Sequence, residues 1–201
     1  MIAHWPTKTV IITPPKCGST SLHKMLGSAG GIIVVGPAPW WPEELTQHLA
    51  TVPGMFAEDW RRVLLIRKPV DRLTSLYTFW QRYRTMPPFS EWVARLEVPE
   101  SINMTSRCVD FAERWDDVIR CEHLRGDVRR VLGVDVPDCC ENKAERRKPI
   151  PTQTEIDRLE YLYAEDMAAV GHLVAQHTQR RTATTQIESR PTGARTDRRE
   201  A

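Results

Sequence analysis

Two short stretches of this chain gather groups that suit anion binding. The first, Pro15-Lys16-Cys17-Gly18-Ser19-Thr20-Ser21, holds a cation, a glycine and three hydroxyls side by side. It follows the apolar run Val10-Ile11-Ile12 and precedes Leu22, Met25 and Leu26 at helical spacing, which predicts a strand, a tight loop and a helix. The unpaired N–H groups and positive dipole end of a helix start attract phosphate. Gly18 allows close backbone approach, Ser19, Thr20 and Ser21 add donors, and Lys16 adds a mobile charge. The second stretch, Arg67-Lys68-Pro69-Val70-Asp71-Arg72-Leu73-Thr74-Ser75, follows Val63-Leu64-Leu65-Ile66. Arg67 thus falls just past a buried strand, where open α/β sheets bind ligands, and a guanidinium can grip phosphate with two hydrogen bonds. Each stretch also has a plainer reading. The first would be a polar strand–helix turn. The second would have Arg67 and Arg72 solvated or paired with Asp71, and Ser75 as an ordinary helix residue.

The elements that carry these loops follow from periodicity. The run 63–66 is continuously apolar, as strands covered on both faces tend to be. Pro69 is well placed as the first residue of a helix whose apolar stripe is Leu73, Leu76, Tyr77 and Trp80. Further strands are expected at 8–13, 32–35 and 117–121. Helices are expected at 42–50, 89–96 and 124–132, the last with Gly133 as its C-cap. Residues 138–151 read as a loop. Ile156, Leu159, Leu162, Tyr163, Met167 and Val170 predict one long amphipathic helix over 154–176. Strands alternating with helices imply an α/β fold: a single domain, 1–177, with a mainly parallel central sheet flanked by helices. From Thr178 large apolar residues nearly vanish and Arg, Thr and Ser dominate, so 178–201 is expected to be a disordered basic tail.

Taken together, the two stretches resemble the nucleotide loops of sulfotransferases that use PAPS (3′-phosphoadenosine-5′-phosphosulfate). Pro15-Lys16-x-Gly18-Ser19-Thr20 matches that family's 5′-phosphosulfate loop, P-K-x-G-S/T-S/T. Arg67, Pro69, Arg72, Ser75 and Tyr77 match its 3′-phosphate motif, a hydrophobic strand followed by R-D/N-P-x-x-R-x-x-S-x-Y. Lys68 departs from the pattern, standing where an acid or amide is usual. The resemblance covers about residues 8–175 and is strong only at these two places. Downstream, Glu122-His123-Leu124 resembles the family's E-x-L strand end. Arg146, Arg147 and Lys148 resemble its late basic loop, although a solvated charge run is the plain alternative. Tyr163 and Asp166 resemble its closing Y-x-x-D segment.

The resemblance implies a P-loop NTPase-like sulfotransferase fold and transfer of a sulfuryl group from PAPS to an acceptor hydroxyl, with carbohydrate as one acceptor class, releasing PAP. Pro15 to Ser21 would hold the 5′-phosphate, with Lys16 steadying charge on the leaving oxygen. Arg67 and Ser75 would hold the 3′-phosphate, with Arg146, Arg147 and Lys148 closing over the nucleotide. The scheme requires no metal. In the family the base is a histidine or glutamate outside these loops, and His48 is the leading candidate; a surface helix histidine is the alternative, with Glu43 and Glu44 as substitutes. Trp40 and Trp41 would line an acceptor cleft or pack in the core.

Composition bounds the other classes. The net charge of +2 is too small to argue for nucleic acid or membrane, and no apolar run is long enough to span a bilayer. Five cysteines, an odd count without a C-x-x-C pair, suggest reduced thiols, and with no secretory signal pattern a cytoplasmic enzyme is expected. A kinase-like phosphotransferase fits less well, because G-K-S/T occurs nowhere in the chain. A non-catalytic nucleotide-binding module is the third reading.

Overall fold

The computed structural model describes residues 2–29, 32–34, 59–97, 115–137 and 148–188. The expected helix at 42–50 and most of the expected loop at 138–151 lie outside them. Five strands form one sheet in the order β3-β1-β2-β4-β5. They are β1 (Ile2–His4), β2 (Thr9–Ile12), β3 (Ile32–Val34), β4 (Arg61–Ile66) and β5 (Asp117–Arg120). β2, β4 and β5 pair in parallel, while β1 pairs antiparallel with both β2 and β3. All strands but β1 therefore run the same way, so the sheet is mainly parallel with one reversed strand. β1 was not foreseen. Its three residues are all buried, and it turns into β2 through a short 3₁₀ turn at Trp5–Thr7.

The strands alternate their side chains between two cores, as a pleated sheet requires. Val10, Ile12, Leu64, Ile66 and Val118 face one, and Ile11, Val63, Leu65 and Ile119 face the other. The second core is covered by α1 (Ser19–Ala29), through Leu22, Met25 and Leu26, and by α4 (Leu124–Leu132), through Val128, Val131 and Leu132. α4 ends at Gly133, which adopts φ +69° and donates its N–H to the Arg129 carbonyl, as expected of a C-cap. The first core is closed by Leu173 of α6 (Ala164–Glu188). A third cluster, Leu73, Val93, Leu96, Leu159 and Tyr163, joins α2 (Pro69–Trp80), α3 (Phe89–Arg95) and α5 (Gln153–Leu162).

Two expectations about the C-terminal part are corrected. The single helix over 154–176 is two helices, α5 and α6, interrupted at Tyr163 (φ −113°, ψ 27°). Tyr163 and Asp166 are both fully buried, and Arg72 of α2 reaches both: its Nη2 donates to Asp166 Oδ2 at 2.9 Å and its guanidinium lies 5.9 Å from the Tyr163 ring. The break falls beside a buried ion pair, which periodicity does not see. The second correction is that helix continues past Thr178 to Glu188. Once a helix is nucleated, each further residue adds a hydrogen bond without needing a buried face. Residues 189–201 lie outside those described. Among the described residues no helix is long and apolar enough to cross a membrane.

Candidate functional site

The loop between β2 and α1 begins with Thr13 and Pro14, both buried, and tightens through a hydrogen bond from the Cys17 N–H to the Pro14 carbonyl at 3.2 Å. Two of its residues have positive φ, Lys16 at +66° and Gly18 at +100°. For lysine the left-handed conformation costs roughly 1–2 kcal/mol. Such strain gathers where a loop's shape serves a ligand, and left-handed residues set among right-handed ones turn backbone N–H groups toward an anion. Gly18 is required twice over. Besides its φ, a Cβ there would meet Cys121 Sγ at 3.0 Å. Its carbonyl accepts the Leu22 N–H at 3.0 Å and so starts α1.

Pro15 is buried and shapes the turn. Cys17 is fully buried and belongs to the same core cluster as Leu22 and Ile119. Ser19 and Ser21 are half-buried and Thr20 is exposed, all in the first turn of α1. Lys16 is half-buried. Its Nζ lies 4.1 Å from the centre of the Phe79 ring, a cation–π contact, and among the described residues no carboxylate pairs with it.

The second stretch converges on the first. Arg67, immediately after β4, donates from Nη1 to the carbonyl oxygen of Lys16 at 2.9 Å. β2 and β4 are adjacent parallel strands, so their C-terminal ends deliver both loops to one edge of the sheet. Lys68 N–H donates to Glu122 Oε1 at 2.9 Å, which ties this loop to the end of β5. Glu122 therefore has a structural job. Arg72, though part of the same sequence motif, is removed from any ligand role by its buried pair with Asp166. Ser75 is half-buried on α2 and Lys148 is exposed.

Cations gather at this edge, with Glu122 and Asp71 also close enough to act on Cys121. Burial and the charges of Arg82, Arg67 and Lys148 push the Lys16 ammonium down to about 8. Among the described residues none of these four cations has an ion-pair partner. The Cys121 thiol, half-buried beside Gly18, is pushed up by burial, which outweighs the opposing pull of Arg67 and Lys148. It is a packing thiol rather than a nucleophile.

The structure thus brings Pro15, Lys16, Gly18, Ser19, Thr20, Ser21, Arg67 and Lys148 to one sheet edge, with Ser75 on the helix that leads from it. His48, Arg146 and Arg147 lie outside the described residues, as do Glu43, Glu44, Trp40 and Trp41. Sequence reasoning missed Phe79 and Arg82. A signal existed in part: Ser75 and Phe79 are four residues apart on one face of α2, and Arg82 follows in the turn that ends it. No protein-family model and no curated protein sequence matches the chain.

Proposed function

We propose that this protein is a PAPS-dependent sulfotransferase, with a P-loop NTPase-like sulfotransferase fold, acting on an acceptor hydroxyl. The observation that carries the reading is the 2.9 Å hydrogen bond from Arg67 to the Lys16 carbonyl. It joins two anion-binding stretches, separated by some fifty residues of sequence, into one cation-rich edge. A nucleotide with phosphate at both its 3′ and 5′ positions needs that pairing of sites. The residues present suit such a ligand by their own chemistry. Three cations, Lys16, Arg67 and Lys148, lack ion-pair partners among the described residues, a helix start opens beside them, and the backbone is strained where an anion would approach.

In this reading the first turn of α1, with Ser19, Thr20 and Ser21, holds the 5′-phosphate. Arg67 and Ser75 hold the 3′-phosphate, and Lys148, with Arg146 and Arg147 of the same basic run, covers the nucleotide. The acceptor oxygen forms a bond to sulfur as the bond from sulfur to the 5′-phosphate oxygen breaks. The electron pair leaves with PAP, and the hydroxyl proton passes to a base. His48 is the candidate for that base, with Glu43 or Glu44 as alternatives. In this reading Lys16 neutralises charge growing on the leaving oxygen, an effect worth about 100- to 1,000-fold in rate for one preorganised donor. Carbohydrate is one acceptor class within the proposal, and a cytoplasmic site of action is part of it, in keeping with an odd cysteine count without a C-x-x-C pair.

The test has two arms. PAP without metal is expected to raise the melting temperature more than ATP with Mg²⁺; the reverse would transfer the protein to the phosphotransferases. Labelled sulfate transfer from PAPS to an acceptor panel is expected to fall at least 100-fold in Lys16→Ala and to drop in His48→Ala. Unchanged transfer in Lys16→Ala would remove that residue from the chemistry. PAP binding with no transfer to any acceptor would favour the non-catalytic module.

A further inference from the structure

Resting on the sulfotransferase reading, we infer that Arg82 and the ring of Tyr83 receive an acceptor that itself carries a negative charge. The surface concerned begins at the reactive lysine. Lys16 Nζ sits 4.1 Å from the Phe79 ring centre, and Phe79 packs against Tyr83 with centroids 5.0 Å apart. Tyr83 is 69% exposed, so an aromatic face runs outward from Lys16 into solvent. Arg82 stands beside it in the turn that ends α2, its backbone fixed by a hydrogen bond from its N–H to the Phe79 carbonyl at 3.1 Å.

Two arginines share this turn and differ in their engagement. Arg84 lies 4.5 Å over the Trp80 ring and its Nε donates to Met86 Sδ at 3.2 Å. Arg82 is exposed and makes no ion pair or ring contact among the described residues. Its charge nevertheless acts on Lys16 more strongly than that of Arg67 or Lys148. Arg82 belongs to neither of the two stretches that suit the nucleotide. A neutral acceptor would leave this exposed cation unanswered. An anionic acceptor answers it, while the aromatic face carries the acceptor's ring.

The acceptor's charge stays on Arg82 while its hydroxyl oxygen bonds to sulfur, the sulfur–oxygen bond to the 5′-phosphate breaks, PAP departs with the electron pair and the hydroxyl proton goes to the base. Arg82 therefore binds ground state and transition state alike and acts on acceptor affinity. A sugar acid and an aromatic acid share the required chemistry, so the experiment separates them.

The full chain, saturated with PAP, is titrated with glucuronate against glucose and with 4-hydroxybenzoate against phenol. Binding is followed through the Arg82 Nε–H and Tyr83 ring resonances. At least one anionic probe is expected to bind fivefold or more tightly than its neutral partner, and Arg82→Gln is expected to erase the difference while leaving PAP affinity within twofold. The series that responds identifies the ring class. Equal binding of charged and neutral probes in both series overturns the inference. So does a loss of PAP affinity in Arg82→Gln as large as in Arg67→Gln, which would make Arg82 a nucleotide residue. Failure of PAP to bind at all is the separate failure of the underlying reading, and the acceptor site falls with it.

Discussion

Around β5 and α4, arginines meet carboxylates. Arg120 makes a two-pronged contact with Asp127, at 2.8 and 3.0 Å, and its backbone N–H donates to the same carboxylate. Arg130 bridges Asp117 and reaches Asp127, while Arg61 stands 3.6 Å from Asp117. Burial alone would raise the Asp127 carboxyl, but the Arg120 hydrogen bonds and the charges of Arg120 and Arg130 hold it below the usual carboxylate range. At the edge formed by the ends of β2 and β4, Lys16, Arg67, Arg82 and Lys148 have no such answer among the described residues, and one of them is pushed down to about 8. The same residue types serve two ends. Where the carboxylate is built in, the charge fixes one element to another. Where it is left out, the fold keeps an uncompensated field that a ligand can neutralise. Such a field costs stability, which is why it marks function better than a count of arginines does.

The sharpest way to break this contrast is to remove a built-in carboxylate. Asp166→Ala takes the carboxylate from the Arg72 guanidinium, whose side chain is only 4% exposed, and should cost about 3–5 kcal/mol in denaturant titration. Arg67→Gln should behave oppositely. It should lower PAP affinity about 10- to 100-fold, through loss of a charged hydrogen-bonding group, while stability moves by no more than about 1 kcal/mol. If Arg67→Gln destabilised the fold as much as Asp166→Ala, the two regions would not differ in kind.

A titration sharpens the comparison further. The folded Lys16 loses its proton near pH 8, against an ordinary value of 10.5. PAP affinity should therefore be greatest below pH 8 and fall as pH rises through it, by at most about tenfold per unit for one proton. Stability has the other sign. Between pH 8 and 10.5 the unfolded chain binds more protons at this position than the folded chain, so stability from this group rises with pH there and is lost as pH falls through 8. Lys16→Arg should flatten both trends, read by calorimetry with PAP and by melting without it. An affinity that held constant to pH 10 in the wild type would detach Lys16 from the anion.

Much of this was legible before the structure. The run 63–66 announced a central buried strand, and α4 with Gly133 was readable to its ends, because patterning, propensity and capping agree there. Lys16 and Arg67 were legible by residue type at strand ends. What was hidden is non-local. β1 is three residues long, and only pairing on both sides makes it a strand. The break at Tyr163 lies inside an unbroken helical period, and the buried pair beside it, Arg72 against Asp166, spans 94 residues. That pair also accounts for Arg72, whose place in the motif gives no hint of a partner at Asp166. The meeting of the two loops runs through a backbone carbonyl, which carries no sequence signal.

The smallest expected effect concerns Lys68, which belongs to neither side of the comparison. It occupies the N-cap of α2 (φ −54°, ψ 129°) with no side-chain cap, and Pro69 follows as the first helical residue. Lysine has no acceptor to offer the next N–H groups, whereas asparagine does. The bond from the Lys68 N–H to Glu122 is a backbone bond and survives the change. Lys68→Asn should therefore stabilise the fold by about 0.5–1 kcal/mol, a rise of roughly 1–3 °C in melting temperature. Asparagine is preferred to aspartate because a second carboxylate beside Glu122 would repel it. Lys68 is not among the charges that depress Lys16, so PAP affinity should fall by less than about threefold. A fall matching Arg67→Gln would place Lys68 inside the unanswered cluster, and a lower melting temperature would mean that the start of α2 lacks no acceptor.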